Sequence, residues 1–439
     1  MSRCFSELQN GFRSPKRNPS LVHGKSSWYH YYAGFSPDFV KDAMKYLNLT
    51  SDAIVMDPWN GSGTTTQIAR DMGFSTIGYD INPVMVLIAK AKMIDYGAKR
   101  HILDHLGSII KTARKHTISP FLEVEPLEIW LTPESASVFR NLERAAQEML
   151  IDNEYRIIYY EESLANMPCL AALFYTALFR TLREIHSPFY TSNPTWIKTP
   201  TQNERLHFSA DQIYAMLKDQ VFAMIEAITP PNRAIEYNKF VDFQIERASS
   251  DSIPLQDHSI DAVVSSPPYC TRIDYAIATM PELALLGCSM DKGIKSLRDR
   301  MIGTPTISET IPQVRSVYGS ICVAFLDAVA AHHSKASKSY YIKYYLQYFD
   351  SIYRSLIEID RTLAESGRCI LVVQDSYYKD IHNDLPRIFM EMAHSLGWNC
   401  LDQFDFITKR TMAGLNRRTK IYRHSSTATE SVLIFQKTS

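Results

Sequence analysis

Two short stretches of this chain concentrate the residue types that could do chemistry on a small charged ligand and on an amine. The first is Asp57-Pro58-Trp59-Asn60-Gly61-Ser62-Gly63-Thr64-Thr65; the second is Ser266-Pro267-Pro268-Tyr269. In the first, Gly61 and Gly63 let the backbone turn sharply and approach a ligand without Cβ clashes. A helix opening at Thr64 to Thr66 would offer its free N–H groups to a carboxylate. Asp57, at the end of the preceding strand, is placed to attract an ammonium group of the same ligand. Asp80 follows about 20 residues past the glycine turn, where an acidic residue binds ribose hydroxyls. It could equally cap a helix entered at Asn82-Pro83.

In the second stretch, two prolines fix φ and remove two backbone donors, leaving a rigid loop that presents carbonyl oxygens. An exocyclic amine on a base carries two hydrogens and needs two acceptors. The Ser266 side-chain oxygen and the Pro267 carbonyl are on offer. Held this way, the nitrogen lone pair leaves the ring π system and faces an electrophile, with positioning and desolvation supplying the rate. Tyr269 adds an aromatic face for stacking. A base inside a duplex would have to be flipped out to reach it. Cys270 comes next, but neither a base nor a cation adjoins it in sequence, so it reads as a structural thiol rather than a nucleophile.

The elements that must position these stretches follow from the apolar pattern. Strand Ala53–Met56, a helix over Thr66–Met72 and strand Thr76–Tyr79 make the unit a parallel sheet requires. A helix starts after Ser36 with Pro37 at its first position. From 97 to 239 strand signals fade, and Ala136–Leu150 and Leu170–Ile185 read as helices. The sheet resumes with Phe240–Glu246 and Ile260–Ser265. The chain closes with helix Tyr345–Leu363, strand Cys369–Val373, helix Leu385–Leu396 and strands near Asn399–Ile407 and Ser431–Phe435. The simplest account is one doubly wound α/β domain with two insertions. Residues 1–20 form a loose arm, 21–96 and 240–439 the two halves of the domain, 97–239 a helical insertion, and about 276–338 a second inserted segment.

Composition narrows the setting. The 439 residues carry 47 basic and 47 acidic side chains, so a global basic field is excluded and any nucleic-acid surface is local. The densest basic cluster is Lys409, Arg410, Arg417, Arg418, Lys420 and Arg423, in an acid-free loop between the last two strands. Next come Arg13, Lys16 and Arg17, and Lys111, Arg114 and Lys115. Seven cysteines form no Cys-x-x-Cys pair, so neither a zinc site nor a disulfide framework is indicated, and no metal is expected. The polar N-terminus lacks a signal-peptide core, and no apolar run approaches the roughly 20 residues of a membrane span. A reducing, cytoplasmic setting is the simplest reading.

Taken together, the two stretches resemble the motifs of the DNA amino-methyltransferases that modify N4 of cytosine or N6 of adenine. The glycine-containing stretch resembles their cofactor motif, usually written with Phe where this chain has Trp59. The Ser-Pro-Pro-Tyr stretch is similar to their catalytic motif. The resemblance implies a Rossmann-like class I methyltransferase sheet and S-adenosylmethionine as cofactor. Asp57, Pro58, Gly61, Gly63, Thr64 and Asp80 would hold it. The segment Trp28 to Phe35 is similar to the family segment covering the methionine end, which adds Lys25 and Phe35. By spacing to Pro254, Ser249 falls where the family often has Asp, and Asp251, two residues on, is assigned to the adenine. Ser266, Pro267, Pro268 and Tyr269 would be catalytic. Serine at the first position goes most often with cytosine N4, and Asp or Asn with adenine N6.

The resemblance covers roughly 21–96 and 240–275, more loosely 340–439, and neither insertion. It implies double-stranded DNA as partner and a bacterial or phage restriction or defence system, with a cognate restriction endonuclease or defence proteins alongside. It also makes 97–239 a candidate target-recognition region. There His186 to Lys198 combines aromatics, hydroxyls and an amide that can stack on bases or read their edges. Adenine N6, an RNA base, or a non-catalytic nucleic-acid-binding role stay open; protein glutamine methylation goes with Asn at position 266 and ranks lower.

Overall fold

The computed structural model describes residues 11–18, 20, 22–30, 34–116, 122–152, 154–191, 193, 196–230, 241–408 and 427–438. Its centre is a seven-stranded sheet. The strands are β1 (Ile54–Asp57), β2 (Ser75–Asp80), β3 (Phe243–Arg247), β4 (Ile260–Ser265), β5 (Leu363–Gln374), β8 (Trp398–Thr408) and β9 (Ala428–Lys437). Between β5 and β8 a small hairpin, β6 (Ser376–Tyr378) and β7 (Ile381–Asn383), stands apart. The order in the sheet is β3-β2-β1-β4-β5-β9-β8. The first five strands are parallel, and β9 runs antiparallel to both β5 and β8. The order reverses between β1 and β4, which opens a crevice at their carboxyl ends.

Alternation along the central strands builds two cores, because successive side chains point to opposite faces. Val55, Ala262, Val264, Ile370 and Val372 meet helices α1 (Pro37–Leu47) and α2 (Thr64–Asp71) on one face. Met56, Val263, Cys369 and Leu371 meet α10 (Ser320–Ala331), α11 (Ile342–Thr362) and α12 (Leu385–Ser395) on the other. With both faces covered, β4 and β5 read as nearly continuous apolar runs rather than alternating ones.

A third core gathers α3 (Pro83–Lys92), α4 (Lys99–Ala113), α5 (Pro133–Leu150), α6 (Cys169–Ile185), α7 (Ala210–Glu226) and α8 (Met280–Leu285). Helix α3 is buried all round: its first seven residues are apolar, and Lys90 and Lys92 are buried with their amines on the Ala165, Met167 and Ser62 carbonyls. The helical insertion therefore packs onto α3 and shares its core. Helix α9 (Lys292–Arg300) lies in the second inserted segment. Among the described residues no helix is long and apolar enough to cross a membrane.

The α/β sheet with a large helical insertion is as the sequence predicts. Residues 11–18 of the N-terminal arm are not loose. Phe12 is buried against Phe39, Tyr46 and Phe404, and Arg13 holds Asp42 at 2.7 Å.

Candidate active site

Asp57 closes β1 and Ser265 closes β4, neighbours across the point where strand order reverses. Both stretches singled out in the sequence converge there. Pro58, Gly61, Thr64 and Asp80 line the same pocket as Ser266, Pro267, Pro268 and Tyr269.

Asp57 is fully buried and is not on the pocket wall, which the next residue, Pro58, lines. Its Oδ1 accepts from the Trp59 N–H at 3.1 Å and from the Ser265 hydroxyl at 2.5 Å. Its Oδ2 is buried with no hydrogen-bond partner among the described residues. Burial pushes the carboxyl up to about 6, against the pull of these bonds. A buried oxygen without a donor is costly until a ligand supplies one, and an ammonium group answers both the missing bond and the charge.

Asp80 lies on the pocket wall. Its Oδ2 accepts from the Gly61 N–H at 2.9 Å and its Oδ1 from the Asn82 N–H at 2.8 Å. Burial again raises the pKa to about 6, and nearby Asp57 adds to the rise. Asp80 does not cap α3: Asn82 does, accepting from the Val84 N–H at 3.1 Å. The Asp80 carboxylate thus braces the glycine turn, and its remaining lone pairs are free to meet ribose hydroxyls.

Gly63 is displaced from the expected role. It caps α2 at φ 75, and a Cβ there would stand 2.6 Å from the Ala89 Cβ. It serves the close approach of α2 to α3 and is not on the pocket wall. A residue the sequence reading passed over, Asn60, is on that wall. Its Oδ1 accepts from Thr66 at 3.0 Å while its Nδ2 is buried without a partner. A Cβ on Gly78 would stand 2.3 Å from that nitrogen, so the glycine in β2 makes room for it.

Phe35 lines the pocket and also packs edge-on against Phe39 at 5.7 Å, so it is wall and core at once. Lys25 is elsewhere: its Nζ reaches the Ile94 carbonyl at 3.4 Å and Asp71 at 3.9 Å. Asp71 ends α2, whereas the glycine turn begins it, so Lys25 sits at the wrong end of the helix. Asp251 is also turned away. It takes the Ser249 hydroxyl at 2.5 Å and pairs with Arg354 at 2.9 Å, while Ser249 and Ser250 face the pocket. The position where the family often has Asp is the one on the wall, and here it is a serine.

On the catalytic side, the Ser266 hydroxyl donates to the Val372 carbonyl at 3.2 Å. Its proton is committed, so its lone pairs are what it can offer a ligand. The Pro268 carbonyl accepts from Tyr348 at 2.9 Å, and the Pro267 carbonyl has no partner among the described residues. These are the two acceptors the sequence points to. Tyr269 donates its hydroxyl to Glu430 Oε1 at 3.0 Å, and burial together with that carboxylate holds its pKa well above the ordinary tyrosine range. Glu430, on β9, is 8 % exposed, and its Oε2 is buried without a hydrogen-bond partner. Cys270 is buried and burial pushes its thiol up, which disfavours a thiolate.

The second inserted segment supplies another wall. Arg300, Met301 and Ile302 line the pocket with Tyr275. Gly303 at φ 77 brings the following turn against the catalytic loop, where a Cβ would stand 3.2 Å from the Tyr269 carbonyl. The helical insertion acts at the opposite end. Arg180 donates to the Trp28 carbonyl and Arg183 to the His30 carbonyl, tethering the segment that leads to Phe35. In the stretch His186 to Lys198, His186, Phe189 and Ile197 are buried, and burial lowers the His186 pKa to about 3. Ser187, Pro188, Thr191, Asn193, Trp196 and Lys198 are exposed, so this stretch is anchored by three buried side chains and leaves the aromatic Trp196 on the surface.

The basic cluster Lys409, Arg410, Arg417, Arg418, Lys420 and Arg423 lies outside the described residues. Its alternatives are partly engaged within the fold. Arg13 is bound to Asp42, Arg17 donates to the Ser26 and Tyr29 carbonyls, and Arg114 pairs with Asp211 at 2.6 Å.

No protein-family model matches the chain. It is 24% identical over 315 residues to the Type II methyltransferase M.BsoBI of Geobacillus stearothermophilus, covering 67% of this chain and 59% of that protein. It is 38% identical over 98 residues to the Type II methyltransferase M.MjaII of Methanocaldococcus jannaschii, covering 21% of this chain and 18% of that protein. The chain thus spans less than two thirds of the length of these relatives. Among solved structures, the YcgJ protein of Bacillus subtilis aligns with a TM-score of 0.31 at 9% identity, covering 91% of this chain and 98% of that one. The cyclase SpnF aligns at 0.32 and 10%, covering 95% and 88%.

Proposed function

We propose that this chain is an S-adenosylmethionine-dependent DNA methyltransferase acting on the exocyclic amine of a flipped-out base, with cytosine N4 as the acceptor. The observation that carries the proposal is the shared pocket: the turn from Pro58 to Thr64, Asp80 and the Ser266-Pro267-Pro268-Tyr269 loop line one crevice, with Asp57 buried next to Pro58 in the chain. The likeness to two Type II methyltransferases supports the same class of activity.

When bound, S-adenosylmethionine supplies an electrophilic methyl group. Asp57 Oδ2 would take its ammonium, the N–H groups at the start of α2 its carboxylate, and Asp80 its ribose. Ser266 and the Pro267 carbonyl accept the two amine hydrogens and turn the nitrogen lone pair toward the methyl. Tyr269 stacks on the base. The choice of cytosine rests on serine at position 266. Double-stranded DNA is the proposed partner, within a restriction–modification setting that includes a cognate endonuclease.

Glu430 holds the Tyr269 hydroxyl and so fixes the ring plane. Glu430→Gln keeps an acceptor there and should transfer methyl groups at close to the wild-type rate. Glu430→Ala removes it and should lose roughly 2- to 10-fold, the net worth of one hydrogen bond. Steady-state rates on a duplex substrate decide it; equal losses in both variants would count against a role through the hydroxyl.

The substrate class is tested by incubating the protein with methyl-labelled S-adenosylmethionine and, separately, unmodified plasmid DNA, total RNA and a protein extract. Label is expected in the DNA. Label confined to RNA or protein would refute the proposal.

A further inference from the structure

The segment between Asp327 and Asp350 contains Lys335, Lys338 and Lys343 and no acidic residue, in a chain whose basic and acidic residues balance overall. All three lysines are exposed, and none has an ion pair among the described residues. They can therefore meet an anion without breaking an existing bond.

The backbone around them is unusual. Ala336 has φ 72, and Ser337–Tyr341 forms a π-helical turn leading into α11. Such turns are rare and recur at functional sites. Arg272, three residues past Tyr269, is also in the left-handed region, at φ 57. A bulky residue persists there only when its surroundings hold it, and here they do. Its N–H donates to the Tyr344 hydroxyl at 3.2 Å, and its guanidinium donates to the Tyr341 hydroxyl at 3.1 Å.

The exit of the catalytic loop is thus tied to the turn that bears Lys338 and to the first residues of α11, with Lys335 just before the turn and Lys343 just after it. Beneath that turn, the Ser334 and Ser337 hydroxyls meet the Tyr378 hydroxyl at 2.7 and 2.5 Å. The turn is pinned from below, and its cations are left outside. The nearby carboxylate of Asp380 faces His332 at 3.1 Å.

We propose that Arg272, Lys335, Lys338 and Lys343 form a phosphate-binding surface that grips the DNA backbone beside the flipped nucleotide. This rests on the reading of the pocket as a DNA base methyltransferase site. A flipping enzyme must hold the flanking backbone, and with zero net charge the grip has to be local.

The test is the salt dependence of binding to two short duplexes of unrelated sequence, measured for wild type, Arg272→Gln and the triple variant Lys335→Ala, Lys338→Ala, Lys343→Ala. The lysines are exposed and unpaired, so the triple variant should fold normally; a wild-type melting temperature and S-adenosylmethionine affinity check this. Binding is expected to weaken on both duplexes, with the slope of log K against log salt falling by up to about 0.9 per lost contact. An unchanged slope in a triple variant whose wild-type parent methylates duplex DNA overturns the surface and leaves the function standing. A wild-type protein that binds S-adenosylmethionine but no duplex overturns both.

Discussion

Asp57→Asn is expected to bind S-adenosylmethionine about 10²- to 10³-fold more weakly than wild type while melting no lower at neutral pH. The two effects have one cause. The Asp57 carboxyl is fully buried with one oxygen unpartnered, which burdens the empty protein and is relieved when an ammonium arrives. Breaking a buried charge pair by removing one partner costs about 3–5 kcal/mol, hence the loss in affinity. Removing the charge from the empty protein relieves desolvation, hence the unreduced melting temperature. The pH dependence has a definite sign. The folded-state pKa, at about 6, lies above the ordinary carboxylate value. The empty folded state therefore holds its proton more tightly than the unfolded chain, and its stability falls as pH rises toward 6. Cofactor binding needs the ionised form, so affinity falls as pH drops through about 6. Titration calorimetry and thermal melts across this range check both. Undiminished affinity in Asp57→Asn would remove Asp57 from the cofactor site.

Ser266→Ala should separate chemistry from binding. S-adenosylmethionine affinity should stay within about twofold of wild type while the transfer rate falls roughly 10²- to 10³-fold, as when one preorganised polar group is removed from an active site. The structural ground is the hydroxyl orientation: its proton goes to the Val372 carbonyl, leaving acceptor lone pairs that alanine lacks. Tyr269→Ala should instead weaken capture of the base, by about 1–3 kcal/mol of stacking, and so raise KM for DNA more than it lowers kcat. Single-turnover rates and calorimetry on the same preparations distinguish the two patterns. A Ser266→Ala enzyme with a wild-type transfer rate would exclude the acceptor role.

What the sequence reveals here is local, and what it hides is long-range. The strand ends at Asp57 and Ser265, the glycine turn and the rigid proline pair are each legible within a few residues, because φ limits and strand alternation act over that distance. The spacing to Pro254 leads to a turn on the pocket wall, where Ser249 rather than Asp251 faces inward. Ser249 and Asp251 are two residues apart in a tight bend, and only the contact with Arg354 shows which faces inward. The first seven residues of helix α3 are all apolar and even Lys90 and Lys92 are buried, so it carries no helical stripe to read. Glu430 meets Tyr269 from 161 residues away, and Arg300 to Ile302 reach the pocket from an insertion with no motif of its own. The insertion at 97–239 looks separable in the chain because strand signals fade there, yet its helices bury their faces on α3.

Methyl transfer to cytosine N4 in DNA is the central claim. Unmodified plasmid DNA incubated with the protein and S-adenosylmethionine, digested to nucleosides and separated by mass spectrometry, tests it most directly. N4-methyldeoxycytidine is the expected product, absent when Ser266→Ala replaces the wild type. N6-methyldeoxyadenosine as the sole product would contradict the choice of base while sparing the geometry, and unmodified DNA from a protein that binds the cofactor would contradict DNA methylation by this site altogether.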